Sequence, residues 1–402
     1  MKKYMALLII LFIPFIVNAK EASNISKYSL YRVGMGYTSE FKDDSYNTYL
    51  TINDISILSL SKIKYVYIMY EINSVKGVLK TNNDEVIIGD NGYLHEFIEL
   101  SNPSDLINIS FDKETTISEI RVYGEGDIPS DVQIWGRDKT TDLMIFSTHS
   151  DDEVLFFGGI IPTYVNRGKK VHVTYLTKHY ECKKPNQIRL HEVLDGLWTS
   201  GVRDYPTFGI LPDEGSRITK KNKKGLNNII KKVQRQVKED NLTEQDLIDF
   251  YVRVIREYKP KVILGHDVYG EYGHGQHIYN TYILKKAIKL VGQKTYETCG
   301  ISPYKISKVY LHLYGKKKDK TTINLDVPLK EYDNKTAYQV TQEAFTKHVS
   351  QQKSKYPAWL NGVNNEYTKA TQIKTSSPMY WGLYYTSVGK DKKKNDLFEH
   401  IK

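Results

Sequence analysis

The run Asp142-Leu-Met-Ile-Phe-Ser-Thr-His-Ser-Asp-Asp-Glu-Val-Leu-Phe-Phe-Gly-Gly159 decides how the rest of the chain is read. Leu143 to Phe146 is a short apolar stretch of the kind that forms a buried strand in a parallel sheet. Polarity then inverts through Thr148, His149, Ser150, Asp151, Asp152 and Glu153, and Val154 to Tyr164 turns apolar again at a length that suits a helix. A strand, a loop rich in acids with one imidazole, and a helix is where open α/β sheets place their chemistry. The adjacent carboxylates of Asp151, Asp152 and Glu153 repel one another, and a helix N-terminus calls for only one or two. A bound cation is the simplest way to hold them together.

Downstream, strands and helices alternate. Val171 to Thr177 is a second buried strand, Gln187 to Ser200 a helix carrying Arg189, His191, Glu192 and Trp198, and residues 216–240 a Lys-rich surface helix or insertion. Thr243, with Asp246 three residues on, caps a helix whose Leu247, Ile248, Tyr251, Ile255 and Tyr258 share one face, and Pro260 ends it. Val262 to Leu264 is the next strand. It runs into a second polar loop, Gly265-His-Asp-Val-Tyr-Gly-Glu-Tyr-Gly-His-Gly-Gln-His277. A helix from Ile278 to Leu290, a strand from Val309 to Tyr314, and a tail mixing a helix (Ala337 to His348) with Tyr- and Trp-rich loops complete the chain. Two strand ends bearing His and acids predict one shared site at the C-terminal edge of a parallel sheet.

The residue types at that edge suit a metal. His149-x-x-Asp152 puts an imidazole and a carboxylate in one turn, close enough to share a cation, and the second loop offers His274 and His277 as a third donor. Two His and one carboxylate, with one position left for water, is the composition of a catalytic Zn2+ site. The same set suits non-haem Fe2+.

Thr148-His-Ser-Asp-Asp-Glu153 together with Gly270-Glu-Tyr-Gly-His-Gly-Gln-His277 resembles the PIG-L/LmbE-like deacetylases, metal-dependent enzymes that remove an acyl group, usually acetyl, from an amino sugar or related amide. The resemblance spans roughly Asp142 to Tyr314, and Arg189-x-x-Glu192 matches a further position of the family. It implies His149, Asp152 and His277 as zinc ligands, Asp151 as general base and His274 as the group facing the developing oxyanion. Two residues depart from the family pattern. Ser150 stands where Pro is usual, and Gln276 stands where an acid often precedes the last His, which implies weaker support for a protonated His274. Each role has a structural counterpart: Asp151 or Glu153 as a helix cap, Arg189 as substrate ligand or partner of Glu192, Asp213 and Asp267 as pocket lining or loop supports. The implied function is a zinc-dependent N-deacetylase acting on an N-acetylglucosamine-type sugar in a glycan or glycoconjugate. The alternatives are a cell-surface carbohydrate-binding protein with a non-catalytic deacetylase-like domain, and an amidase for another N-acyl conjugate.

Upstream the pattern is all-β. Tyr49–Ile52, Ile63–Ile72, Glu85–Ile88, Leu94–Leu100, Ile107–Phe111, Ile117–Tyr123 and Val132–Trp135 are β-branched and aromatic runs, with Asp90-Asn91-Gly92 as a hairpin signal. They predict a sandwich of about seven or eight strands. Ile117-Ser-Glu-Ile-Arg-Val-Tyr123 followed by Pro129-Ser-Asp-Val-Gln-Ile-Trp135 resembles the closing strands of a discoidin-like (galactose-binding-like) sandwich, which implies a carbohydrate-binding fold.

The start of the chain reads as a signal peptide. Lys2 and Lys3 precede the apolar run Tyr4 to Val17, and Val17-Asn18-Ala19 supplies small residues for cleavage. The run contains Pro14 and falls short of the ~20 apolar residues of a spanning helix. Export is therefore expected, to the cell envelope or beyond, with no transmembrane span after cleavage. An exported chain allows Cys182 and Cys299 to pair. The net charge of +10 is concentrated in Lys220–Lys238, Lys316–Lys320 and Lys392–Lys394. Such runs read first as solvated surface and otherwise as a site for an anionic envelope polymer, with no nucleic acid expected. The expected organisation is thus a signal peptide over residues 1–19, an all-β sandwich over 20–138, and an α/β domain over 139–402 with a Rossmann-like, mostly parallel sheet and helices on both faces.

Overall fold

A computed structural model describes residues 20–178, 188–298 and 300–401. The expected signal peptide lies outside the described residues, as do Cys182 and Cys299. The chain divides into two compact units, one running through Met69 with Val75–Asp90 and Glu96–Gln133, the other comprising Tyr70–Ser74, Asn91–His95 and Ile134 onward.

The first unit is built on strands β1 (Ser29–Val33), β2 (Gly36–Thr38), β3 (Leu50–Tyr70), β4 (Gly77–Lys80), β5 (Glu85–Ile88) and β6 (His95–Tyr123). They form one six-stranded sheet in the order β2-β1-β3-β6-β4-β5. The strands are fewer and longer than expected. Most of Tyr49–Ile52 and Ile63–Ile72 falls in the single strand β3, and most of three further expected strands merges into β6. Ser101 and Asn102, which lie between two of the expected runs, are exposed residues of a continuous strand. Asp90-Asn91-Gly92 does form a turn with Gly92 at φ +73°, but β5 pairs with β4 rather than β6, so no hairpin follows from it. Val132–Trp135 is not a strand; the Val132 N–H closes a turn on Pro129 O. Tyr67, Met69, Tyr123 and Val132 pack together with Ala22 in this unit.

The second unit holds the expected β-α alternation. Strands β7 (Leu143–Ser147), β8 (Val171–Tyr175), β9 (Val262–Gly265) and β10 (Lys308–His312) are joined by β11 (Lys320–Thr322) and β12 (Tyr380–Thr386) in the order β11-β12-β10-β9-β7-β8. β8, β7, β9 and β10 run parallel, while β12 lies antiparallel to β10 and β11. The β12 strand comes from a stretch that reads as an aromatic loop; its burial depends on partners far away in the sequence.

The helices are α1 (Asp152–Leu155), α2 (Ile160–Asn166), α3 (Ile188–Thr199), α4 (Lys223–Glu239), α5 (Glu244–Tyr258), α6 (Gly275–Leu290), α7 (Ala337–Thr346) and α8 (Tyr356–Asn361). Met144 and Phe146 of β7 pack with Val233 of α4, Tyr251 and Ile255 of α5, and Ile283 and Leu284 of α6. Successive strand residues alternate between faces, which turns Leu143 and Ile145 to the opposite side. There α7 packs on α1, α2 and α3. The capping box at Thr243 and Asp246 starts α5 as expected.

One expected helix is broken. Val154 to Tyr164 splits into α1 and α2 at Gly158-Gly159, where Gly159 takes φ +77°. α6 begins three residues earlier than expected, which puts Gln276 and His277 in its first turn. Because β8 and β9 flank β7 on opposite sides, the chain reverses direction across the sheet beside β7. The loops after β7 and β9 therefore meet at the topological switch point, where parallel sheets open a crevice.

Candidate metal centre and active site

Asn280 ties the two loops together. Its Nδ2 donates to Ser147 O at 2.9 Å and to Thr148 Oγ1 at 2.9 Å, while Tyr251 Oη donates to its Oδ1 at 3.0 Å. A side chain of α6 thus fixes the end of β7, and Thr177 Oγ1 adds a bond to Thr148 O.

On this frame three donor atoms converge. His149 Nδ1 lies 3.1 Å from His277 Nε2 and 3.2 Å from Asp152 Oδ2, and His277 Nε2 lies 3.1 Å from the same oxygen. Their surroundings orient the protons away from one another. Gln276 Nε2 donates to Pro212 O at 2.7 Å, which turns its Oε1 to accept from His149 Nε2 at 2.9 Å. Glu271 Oε2 accepts from His277 Nδ1 at 2.6 Å. In neutral tautomers both imidazoles therefore aim a lone pair at Asp152 Oδ2. Tetrahedral zinc with bonds near 2.0–2.1 Å asks for donor separations of about 3.3 Å, so the three atoms fit such an ion.

Electrostatics agree. Burial opposes a charge on His277, yet Asp152 and Glu271 outweigh it and drive the group up to about 10. Asp152, despite its burial, is held well below the usual carboxylate range by His277 and His149. A site that pulls positive charge onto an imidazole this strongly is one in which a cation would be stabilised.

Asp151 sits beside the triangle with its carboxylate outside it. Its backbone has φ +151°, a conformation that non-glycine residues rarely adopt and that costs on the order of 1–3 kcal/mol. The side chain makes no cap bond to α1, so the helix-cap alternative does not hold. Burial first, with Asp152 next to it, raises the Asp151 carboxyl to about 7 against the pull of Arg189. Glu153 holds the strained residue: its Oε2 accepts the Asp151 N–H at 3.0 Å, and its Oε1 lies 2.8 Å from Nε2 of the buried His348.

Arg189 does not pair with Glu192. Its guanidinium lies 3.2 Å from Asp151 Oδ2 and 3.1 Å from Asp213 Oδ2, and it donates to Ser150 O. Glu192 instead accepts from Ser350 N and Oγ, both at 2.6 Å. Asp213 also approaches His149 Nε2 at 3.5 Å.

His274 occupies the N-cap of α6, its ring edge-on to His149 at 4.7 Å, and its buried Nδ1 has no hydrogen-bond partner among the described residues. Burial, then the neighbouring His149 and His277, hold it well below the ordinary imidazole range. Gln276, expected to bear on His274, acts on His149 instead. Asp267 is engaged in the turn after β9, where its Oδ1 accepts from Tyr269 N at 3.1 Å.

Several buried partners were not singled out from sequence. Glu271, within the quoted second loop, collects His277, His312 (Oε1 to Nδ1, 3.0 Å) and His266 (2.9 Å). His266, in the same loop, approaches Asp152 Oδ2 at 3.8 Å. His312, at the end of β10, and His348, after α7, carry no local motif and come in from distant segments.

Residues 144–288 match the family model described as PIG-L: GlcNAc-PI de-N-acetylase. Curated relatives include the 1D-myo-inositol 2-acetamido-2-deoxy-alpha-D-glucopyranoside deacetylases of Mycobacterium leprae and Rhodococcus jostii. The first is 26% identical over 201 residues, 44% of this chain; the second is 27% identical over 187 residues, 42% of this chain. The chain spans 61% and 60% of the length of these relatives. Among solved structures, the N,N'-diacetylchitobiose deacetylase from Pyrococcus horikoshii shares 16% identity at a TM-score of 0.40, over 65% of this chain and 87% of that one. All the ligand candidates, His149, Asp152 and His277, fall within residues 144–288, the stretch that the family model matches.

Proposed function

We propose that the chain is an exported, zinc-dependent N-deacetylase that hydrolyses the acetamide of an N-acetylglucosamine-type sugar in a glycan or glycoconjugate. The observation that carries this reading is the triangle of three lone pairs beside Asp151, a buried carboxyl that is not part of it. The deacetylase names of the relatives support the reaction class.

Zn2+, or Fe2+ in the same ligand set, would be held by His149, Asp152 and His277 and would supply Lewis acidity, acidifying water and polarising the amide carbonyl. Asp151 accepts a proton from water as its oxygen adds to the amide carbon. The C–N bond then breaks as Asp151 returns that proton to the amine nitrogen, leaving acetate and a free amine. A carboxyl near 7 is suited to both transfers. Neutral His274 turns its unpartnered Nδ1 to the oxyanion that develops between the two events. Arg189 orients Asp151 and, with Asp213, reads the sugar hydroxyls; Asp267 keeps the shape of its loop.

The apolar run before Ala19 supports export, and no helix among the described residues is long and apolar enough to cross a membrane. The discoidin-like reading of residues 20–138 and an anionic envelope polymer as partner of the Lys runs belong to the same proposal. The deciding experiment offers N-acetylglucosamine oligomers and zinc to the purified full chain and measures acetate. Asp151→Asn should lower kcat by about 10²–10⁴ while the metal content stays unchanged. Acetate release that survives this substitution, or thorough chelation, refutes the assignment.

A further inference from the structure

A row of aromatic rings leads outward from the metal triangle. Tyr272, in the second loop, has its ring centre 5.2 Å from that of His277 and 5.4 Å from that of His274. Trp359 of α8 follows at 4.9 Å from Tyr272, and Tyr356, one turn back on α8, at 5.1 Å from Trp359. None of the three is buried; all are partly open to solvent. Leu360 is the residue of α8 that is buried.

This helix is held firmly. Tyr338 Oη donates to Leu360 O at 2.6 Å, and Gln342 Nε2 donates to Asn361 Oδ1 at 3.0 Å, tying α8 to α7. Trp359 rests on the buried Phe156, its ring centre 5.9 Å away, yet both it and Tyr356 stay partly open to solvent at i, i+3 on a short, anchored helix beside the candidate site. The indole N–H of Trp359 has no acceptor among the described residues, whereas the buried Trp381 donates its own to Pro378 O at 2.7 Å. Rigid aromatic faces with a free donor suit pyranose rings, which present an apolar C–H face and a rim of hydroxyls. α8 also lies outside the residues matched by the PIG-L family model.

We propose that Trp359 and Tyr356 form a stacking subsite for the sugar ring adjacent to the one that loses its acetyl group. The substrate class is then an N-acetylated oligosaccharide or longer glycan rather than a free amino sugar. This rests on the N-deacetylase reading above, which places the reacting sugar at the triangle. Tyr272 carries the row from that ring to Trp359.

Calorimetric titration of the zinc-loaded Asp151→Asn protein with N-acetylglucosamine and with its β-1,4-linked tetramer tests the subsite without turnover. The tetramer is expected to bind more tightly than the monomer. Trp359→Ala should weaken tetramer binding about tenfold or more and leave monomer binding nearly unchanged, and Trp359→Phe should restore most of the difference. Thermal melting of each variant controls for folding. Equal affinity for the two sugars, binding of neither, or a Trp359→Ala effect shared equally by both overturns the proposal. Acetate release by the unsubstituted protein, measured in parallel, separates the two readings. A tetramer preference that needs Trp359 without any acetate release would sink the deacetylase and leave the subsite. Release without a Trp359-dependent preference would sink the subsite alone.

Discussion

His149 can present Nδ1 to the donor triangle because Gln276 occupies its other nitrogen, and Gln276 can do so because Pro212 O fixes which end of the amide points inward. Gln276, with Asp213 3.5 Å from the same nitrogen, thus favours the His149 tautomer that leaves Nδ1 free. Gln276→Leu keeps the volume and removes the acceptor, so zinc affinity should fall about 10- to 100-fold, read by competition with a chelator. Unchanged affinity would mean that the tautomer is set elsewhere. That these three residues converge was partly legible in sequence: His149 and Asp152 share one turn, the second loop offered His274 and His277, and the family resemblance pointed to His277. The residues that orient them were less so. Glu271 and Gln276 stand in the quoted motif, but nothing in their spacing tells that one faces His277 and the other His149. His312 and His348 carry no pattern at all and are recruited only by the fold.

At the scale of elements, the site depends on a short helix that stops early. α1 ends before Gly158, and α2 sets off from Gly159 in a new direction. A Cβ at Gly158 would stand 2.1 Å from Val154 O and 2.3 Å from Thr341 Cγ2. The carbonyl belongs to α1 and cannot swing aside. Gly158→Ala should accordingly destabilise the protein by about 1–3 kcal/mol, measured by denaturant unfolding; a neutral result would show that the break tolerates a side chain. The apolar run across this break reads as one helix because hydrophobic period does not record steric contact with α7. The same kind of information was missing for β12, whose pairing with β10 comes from a segment that reads as loop. The parallel strands, by contrast, were legible as short apolar runs, because a strand buried on both faces needs no alternation.

For the molecule as a whole, one buried pair links stability to pH. His191 Nδ1 lies 2.8 Å from His95 Nε2, and its own Nε2 lies 3.2 Å from Glu71 O. Burial lowers the His191 group to about 4, against a small opposing contribution from the Glu71 carbonyl. The unfolded chain binds this proton near pH 6.5 and the folded chain only near 4, so stability is fully present above 6.5 and falls as pH drops through that window. The loss approaches about 3 kcal/mol by linkage. Asp151, raised to about 7, contributes the opposite slope in the same window, so the test is the difference between two profiles: from pH 7 to 4 His191→Gln should lose less stability than the parent, and identical slopes would place the titration elsewhere.

The proposed chemistry requires His149, Asp152 and His277 to hold one cation between them. Metal content of the purified full chain, measured beside His149→Ala, Asp152→Ala and His277→Ala under the same zinc dialysis, tests it most directly. Stoichiometric zinc is expected in the parent, with its loss in each folded variant. Zinc retained in full by all three variants would contradict it.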